Sequence, residues 1–121
     1  MPDRADTNVY VDMSLFTKDN SFGHINGEMR FPSIPSVGEV VPFNHPESDG
    51  ADELIGAVRI EAMNYVDGMP ALFLSDVHVG TKDDAFRVSR FLERRFGLFA
   101  NIHDEDDLTA YMQQDRETRG N

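Results

Sequence analysis

The chain has 121 residues, 40% of them hydrophobic, and no cysteine, which suits one domain and excludes disulfides, thiolate metal sites and a cysteine nucleophile. Its 22 acidic and 11 basic residues give a formal net charge of −11, which repels nucleic-acid phosphates and acidic membranes. We therefore expect neither nucleic acid nor a membrane as a partner.

The N-terminal residues are polar, and no apolar run is long enough to span a bilayer. The sequence predicts a cytoplasmic protein with a flexible N-terminus over residues 1–8. A single α+β domain is expected over residues 9–102. Residues 103–121 form an acidic C-terminal segment, for which we expect a short helix or a frayed end.

The first regular element is a strand from Val9 to Phe16. Its apolar residues alternate, so that Val9, Val11, Met13 and Leu15 share one face. Residues 17–27 are rich in Asn, Asp, Ser and Gly, which predicts a loop or loose hairpin that closes at Asn26-Gly27.

Residues 30–43 contain two short apolar runs interrupted by Pro32, Pro35 and Pro42. Because proline cannot donate to a strand ladder, we expect a strand, a kink and a strand at a sheet edge. Residues 44–53 are polar and acidic, which predicts an exposed loop.

The dipeptide Asp67-Gly68 favours a two-residue turn between strands over residues 54–66 and 69–79. An uninterrupted register from this turn places Ala62 opposite Phe73 and Arg59 opposite Asp76. We expect this hairpin to be central to the sheet.

A helix is predicted from Lys82 to Phe96, with Thr81 as its N-terminal cap and Gly97 as its left-handed C-terminal cap. One stripe of the helix is apolar and should pack on the sheet; it comprises Ala85, Val88, Leu92 and Phe96. Leu98, Phe99 and Ile102 should continue against the core.

Together these elements predict a single small α+β domain. We expect a curled, mostly antiparallel sheet of roughly five strands, either open or barrel-like, with one main C-terminal helix packed on it.

The stretch Leu72 to Gly80, Leu-Phe-Leu-Ser-Asp-Val-His-Val-Gly, resembles the first motif of the calcineurin-like metallophosphoesterases. That resemblance implies metal ligands at Asp76 and His78. The Gly-Asp-x-x-Asp and Asn-His-Glu motifs of that family do not follow, and His103 is the one later histidine. A two-metal centre takes ligands from several segments. We therefore expect no metal or cofactor, and we expect Asp76 to be a cross-strand partner for Arg59. A metal-dependent phosphoesterase centred on Asp76 and His78 is the alternative function.

The candidate binding residues are Phe22, His24, Arg87, Arg90 and Arg94. The three arginines lie on the exposed side of the predicted helix. They form either a solvated face with acidic partners in the same chain or a site that binds an anion or a protein. Phe22 is a large aromatic residue among polar ones, which either enters the core or meets a partner. His24 and His45 are expected in polar loops.

No catalytic set of residues is evident. The leading hypothesis is a small non-catalytic binding module that recognises a protein partner or self-associates through an edge strand.

Overall fold

A computed structural model describes residues 7–18 and 20–119, with side chains through residue 114. The strands and helices, in chain order, are β1 (Thr7–Thr17), β2 (Asn20–Phe31), β3 (Val40–Val41), α1 (Ala51–Ile55), β4 (Val58–Val66), β5 (Met69–Leu74), β6 (Val77–Val79), α2 (Lys82–Phe96), β7 (Phe99–Ile102) and α3 (Glu105–Arg119).

Strand β1 is the centre of the sheet, whose strand order is β3-β4-β5-β1-β2-β7 with β6 also beside β1. One edge of β1 pairs antiparallel with β2, and the other pairs in parallel with β5 and then with β6. Its alternating residues Val9, Val11, Met13 and Leu15 are all buried. The predicted strand face is therefore confirmed, and it is the middle of the core.

Helix α2 covers the buried face of the sheet. Thr81 accepts a hydrogen bond from the Asp84 N–H at 3.1 Å, and Gly97 ends the helix with φ of 70°. Both predicted caps and both helix bounds are confirmed. Ala85, Val88 and Leu92 are buried, whereas Phe96 is partly buried against the core.

Two of the three segments that were expected to be irregular differ from the prediction. Strand β2 begins at Asn20 and pairs with β1 from Thr17 and Asn20 onwards, so the expected loop or loose hairpin that closes at Asn26-Gly27 is wrong. The proline-rich segment does reach a sheet edge, where β3 pairs with Arg59 and Val58 of β4. The expected exposed loop over residues 44–53 contains the start of α1, whose Ala51 and Ile55 are buried.

The β4–β5 hairpin turns at Asp67-Gly68 as predicted, but its register changes at Glu61. Ala62 lies opposite Phe73, whereas Ile60 lies opposite Leu74, which makes Glu61 the extra residue of a β-bulge. The predicted pairing of Arg59 with Asp76 is therefore wrong, because Arg59 exchanges hydrogen bonds with Ser75 instead. The bulge turns both Ile60 and Leu74 into the core.

The C-terminal part of the described chain packs on the same core. Leu98 and Ile102 are buried as expected, whereas Phe99 is exposed. Tyr111 of α3 is buried and donates a hydrogen bond to Glu93 of α2. Lys82 and Asp107 form an ion pair at 2.9 Å between the starts of the two helices, and this hydrogen bond raises the pKa of Lys82.

The α+β class and the single small domain with a curled sheet are confirmed. The sheet has seven strands rather than about five, its pairing is mixed, and it closes only as a half-barrel. Within residues 7–18 and 20–119, no helix is long and apolar enough to cross a membrane.

Leu92→Ala tests the assigned face of α2. Leu92 is fully buried, so we expect the free energy of unfolding to fall by about 2–5 kcal/mol in urea melts. Met112→Ala is the matched control, because Met112 is also helical but 52% exposed, and it should cost less than about 0.5 kcal/mol. Equal effects of the two changes would mean that the face is assigned wrongly.

Candidate functional site

A chain of three polar side chains joins β2 to the segment that follows β7. Ser21 Oγ lies 2.9 Å from Nδ1 of His103, and Nε2 of His103 lies 2.8 Å from Nδ1 of His24. The two imidazole rings are 4.8 Å apart between centroids. We call Ser21, His24 and His103 the histidine cluster.

A bulge in β2 places Ser21 and His24 on the same side of the sheet. The register with β1 pairs Leu15 with Gly23 and Phe16 with Ser21, so Phe22 is the extra residue. Ser21 and His24 are both exposed, whereas the ring of Phe22 is 3% exposed and meets Phe86 edge-on at 5.5 Å. The bulge therefore brings two polar side chains together on the surface and sends the aromatic ring into the core.

His103 is held against β2 by its own backbone. Its N–H donates to the Phe22 carbonyl oxygen at 3.0 Å. The next residue, Asp104, caps α3 by accepting hydrogen bonds from the N–H groups of Asp106 and Asp107. Because the backbone is hydrogen-bonded at His103 and at Asp104, the position of the His103 side chain relative to Ser21 and His24 is well defined.

The close approach of β7 to β2 depends on Gly23. A Cβ atom at this position would lie 2.6 Å from the carbonyl oxygen of Asn101, which is well inside contact distance. Because Asn101 pairs with His24 across the two strands, the absence of a side chain at Gly23 brings His24 and His103 within hydrogen-bonding distance.

The histidine cluster has the connectivity of a nucleophile, a base and a residue that orients the base. All three side chains are exposed to water, however, and an activated serine depends on hydrogen-bond donors held in a water-excluded site. The same three residues also present two ring nitrogens side by side, which is a donor set for a transition metal.

Sequence reasoning found only part of this cluster. His24 was expected in a solvated loop, whereas the structure places it within β2 and against His103. Ser21 was not singled out. The sequence Ser-Phe-Gly-His was the available signal. In a regular strand Ser21 and His24 would lie on opposite faces, and only the bulge at Phe22 puts them on the same face.

The structure brings together the three predicted arginines of α2. Arg87, Arg90 and Arg94 line a small cavity of about 140 Å³, together with Arg95 of the same helix. Arg87 donates to the Asp49 carbonyl oxygen and lies 3.8 Å from Asp84, and Arg90 donates to Gln114 at 3.1 Å. Arg94 also has a contact within the chain. An anion at this patch would have to compete with these contacts.

The two candidate metal ligands, Asp76 and His78, lie just before and within β6. Both are exposed, with Asp76 in the link between β5 and β6, and the ring of His78 stacks on Phe16 at 5.0 Å. Among residues 7–18 and 20–114, no group of three or more histidine or acidic side chains is arranged to hold a metal ion.

A further feature is the outer edge of β4. Strand β3 and the residues before it bond to Val58, Arg59 and Ile60, and in the described chain no strand pairs with this edge beyond Ile60. Along the uncovered part, Met63, Tyr65 and Val66 are 38%, 58% and 53% exposed. We call residues 61–66 the free β4 edge.

No family model matches the chain, and comparison with the curated proteins and with the solved structures found no match.

Gly23→Ala tests the link between strand packing and the histidine cluster. The added methyl group must displace the Asn101 backbone, so we expect a loss of about 1–3 kcal/mol in the free energy of unfolding. The separation of β2 and β7 should also break the contact between His24 and His103, which histidine side-chain NMR would detect. Gly80→Ala is the control, since nothing lies within 4 Å of the position that its new methyl group would occupy. A neutral result at Gly23 would contradict the close approach.

Proposed function

We propose that the chain is a small non-catalytic interaction module, and that it pairs with a second copy of itself through the free β4 edge. The observation that carries this proposal is an exposed, apolar strand whose outer backbone groups have no ladder partner beyond Ile60 among the described residues. Such an edge is a template for pairing with another strand.

The Asp67-Gly68 turn determines which backbone N–H and C=O groups of β4 point away from β5. In a two-residue hairpin, the residues that flank the turn form a hydrogen-bonded pair, here Val66 and Met69. The pairs then alternate, so the backbone groups of Tyr65 and Met63 point away from β5. The Tyr65 N–H donates to the Asn64 side-chain oxygen at 2.9 Å, which leaves Met63 and the carbonyl of Tyr65 for a new strand.

The side chains along this edge suit an isologous pair. With a two-fold axis at Asn64, an antiparallel pair would set Met63 of each copy opposite Tyr65 of the other. Methionine sulfur and aromatic rings attract each other, and directly opposed cross-strand pairs stabilise a sheet. Met63 and Tyr65 lie on the core-facing side of the hairpin, opposite Leu72 and Pro70, and both stay exposed although these two partners are buried.

Charge sets the strength of this association. Residues 62–66 carry no charge, but the chain has a net charge of −11, and the same register brings Glu61 of each copy towards Asp67 of the other. We therefore expect a weak dimer that is stabilised by salt, because salt shortens the range of repulsion from about 10 Å at 0.1 M to about 3 Å at 1 M.

Sedimentation velocity over a range of protein and NaCl concentrations tests this proposal. The wild-type chain should shift from monomer towards dimer as either concentration rises. Tyr65→Lys should remain monomeric under the same conditions, because a lysine on an edge strand opposes pairing.

Met112→Lys is the matched control, since it places the same charge at an exposed apolar position on α3, and it should dimerise like the wild type. A wild-type chain that stays monomeric throughout would contradict self-pairing. A dimer that Tyr65→Lys leaves intact would place the interface elsewhere on the molecule.

The alternative function, a metal-dependent phosphoesterase centred on Asp76 and His78, receives no specific support. The two side chains are exposed and have no third ligand among the described residues, and a two-metal mechanism needs ligands that bridge or flank both ions.

A further inference from the structure

We infer that His24 and His103 form a binding site for a single late transition-metal ion, such as Ni²⁺, Cu²⁺ or Zn²⁺. The nitrogens that would ligate the ion are Nδ1 of His24 and Nε2 of His103, which lie 2.8 Å apart. Imidazole nitrogen is a preferred donor for these three ions. This site is separate from the free β4 edge and does not depend on it.

The separation of the two nitrogens fits a pair of adjacent ligands on one ion. With each nitrogen about 2.0–2.1 Å from the metal, a right angle at the metal requires a nitrogen separation of about 2.9 Å, and a tetrahedral angle requires about 3.3–3.4 Å. The observed 2.8 Å is close to the first value. Square-planar and octahedral ions, such as Cu²⁺ and Ni²⁺, would therefore need little change in the distance between the two nitrogens. Each ring must turn so that its lone pair points at the ion instead of at the other nitrogen, and Zn²⁺ would also need the rings to separate further.

Ser21 selects the form of His103 that can bind. A neutral imidazole carries one N–H and one lone pair. When Nδ1–H of His103 donates to Ser21 Oγ, at a separation of 2.9 Å, the lone pair is at Nε2 and accepts a hydrogen bond from Nδ1–H of His24. An ion replaces this hydrogen bond, and His24 then carries its proton on Nε2, which leaves its Nδ1 free to ligate. Outer hydrogen bonds of this kind commonly fix the tautomer and orientation of ligating histidines. Ser21 is thus a positioning residue for the site.

The backbone holds the two rings in place before an ion arrives. His24 lies within β2, and His103 is bonded through its N–H to Phe22 and followed by the Asp104 cap of α3. A fixed pair loses less freedom on binding than two mobile side chains. The exposure of both rings leaves the other coordination positions of the ion to water.

Thermal unfolding of the untagged chain with NiCl₂ tests the site, since an ion that binds only the folded protein must raise the melting temperature. We expect a rise of at least about 3 °C at saturation, reversed by EDTA. His24→Ala, His24→Gln and His103→Ala should each abolish the rise. The glutamine variant keeps a hydrogen-bonding side chain at position 24, so that loss of the metal effect is distinguished from loss of the contact with His103.

His45→Ala and Asp76→Asn are the controls, and both should keep the full rise, because neither residue belongs to the pair. Ser21→Ala should weaken the apparent affinity for Ni²⁺ by about tenfold without abolishing binding. Electron paramagnetic resonance with one equivalent of Cu²⁺ gives an independent signature, for which we expect coupling to two nitrogens in the wild type and to one in His24→Ala.

Three results would overturn the inference. The first is a rise in melting temperature that persists in both His24 variants. The second is a rise that disappears in Asp76→Asn, which would assign the ion to the segment around His78. The third is a wild-type chain that shows neither a rise with Ni²⁺ nor nitrogen coupling with Cu²⁺.

Discussion

The packing of β1 is the constraint on which the rest of the structure depends. This strand contributes Val9, Val11, Met13 and Leu15 to the core, and it pairs along both edges, with β2 on one side and with β5 and β6 on the other. Because side chains alternate along a strand, a shift of β1 by one residue would expose this whole apolar row. The neighbouring strands must therefore adjust to β1, and bulges in β2 and β4 accommodate the sheet around it.

Each bulge has a local consequence away from the core. In β2, the bulge at Phe22 keeps the phenylalanine ring buried and turns Ser21 and His24 outwards on one face. In β4, the bulge at Glu61 keeps Ile60 in the core, and beyond it Met63, Tyr65 and Val66 are exposed. The histidine cluster and the free β4 edge therefore both result from the bulges that fit β2 and β4 to the sheet around β1.

The acidic loop before α1 contacts arginines of α2. In this loop, Glu47 forms an ion pair with Arg95, and the backbone carbonyl of Asp49 accepts a hydrogen bond from Arg87. The concentrated group of basic side chains on α2 is therefore used largely within the chain. We infer that the negative net charge acts mainly on association, by opposing contact between copies at low salt.

Local pattern was sufficient to predict the parts of the fold in which each residue's surroundings follow from its neighbours in sequence. The alternation in β1, the Asp67-Gly68 turn, and the caps and buried stripe of α2 were all predicted correctly. What could not be predicted depends on contacts between distant segments. The parallel pairing of β1 with β5 and β6, the two bulges and the approach of β7 to Gly23 are examples.

The same reasoning explains the candidate site. His24 and His103 are 79 positions apart, and no spacing rule connects them. The three arginines were correctly placed on one side of a helix, because helical periodicity is local. Their partners Asp49 and Gln114 lie in other segments, so the extent to which the patch is already paired was not visible in the sequence.

Hydrogen–deuterium exchange of the β4 backbone, measured at low and high protein concentration, tests the central claim most directly. The Met63 N–H, which points away from β5, should exchange quickly in the dilute monomer and should become protected as the concentration rises, because it would donate a hydrogen bond to the second strand. Amides of β1 should remain protected at both concentrations. Exchange at Met63 that does not change with concentration would contradict the account.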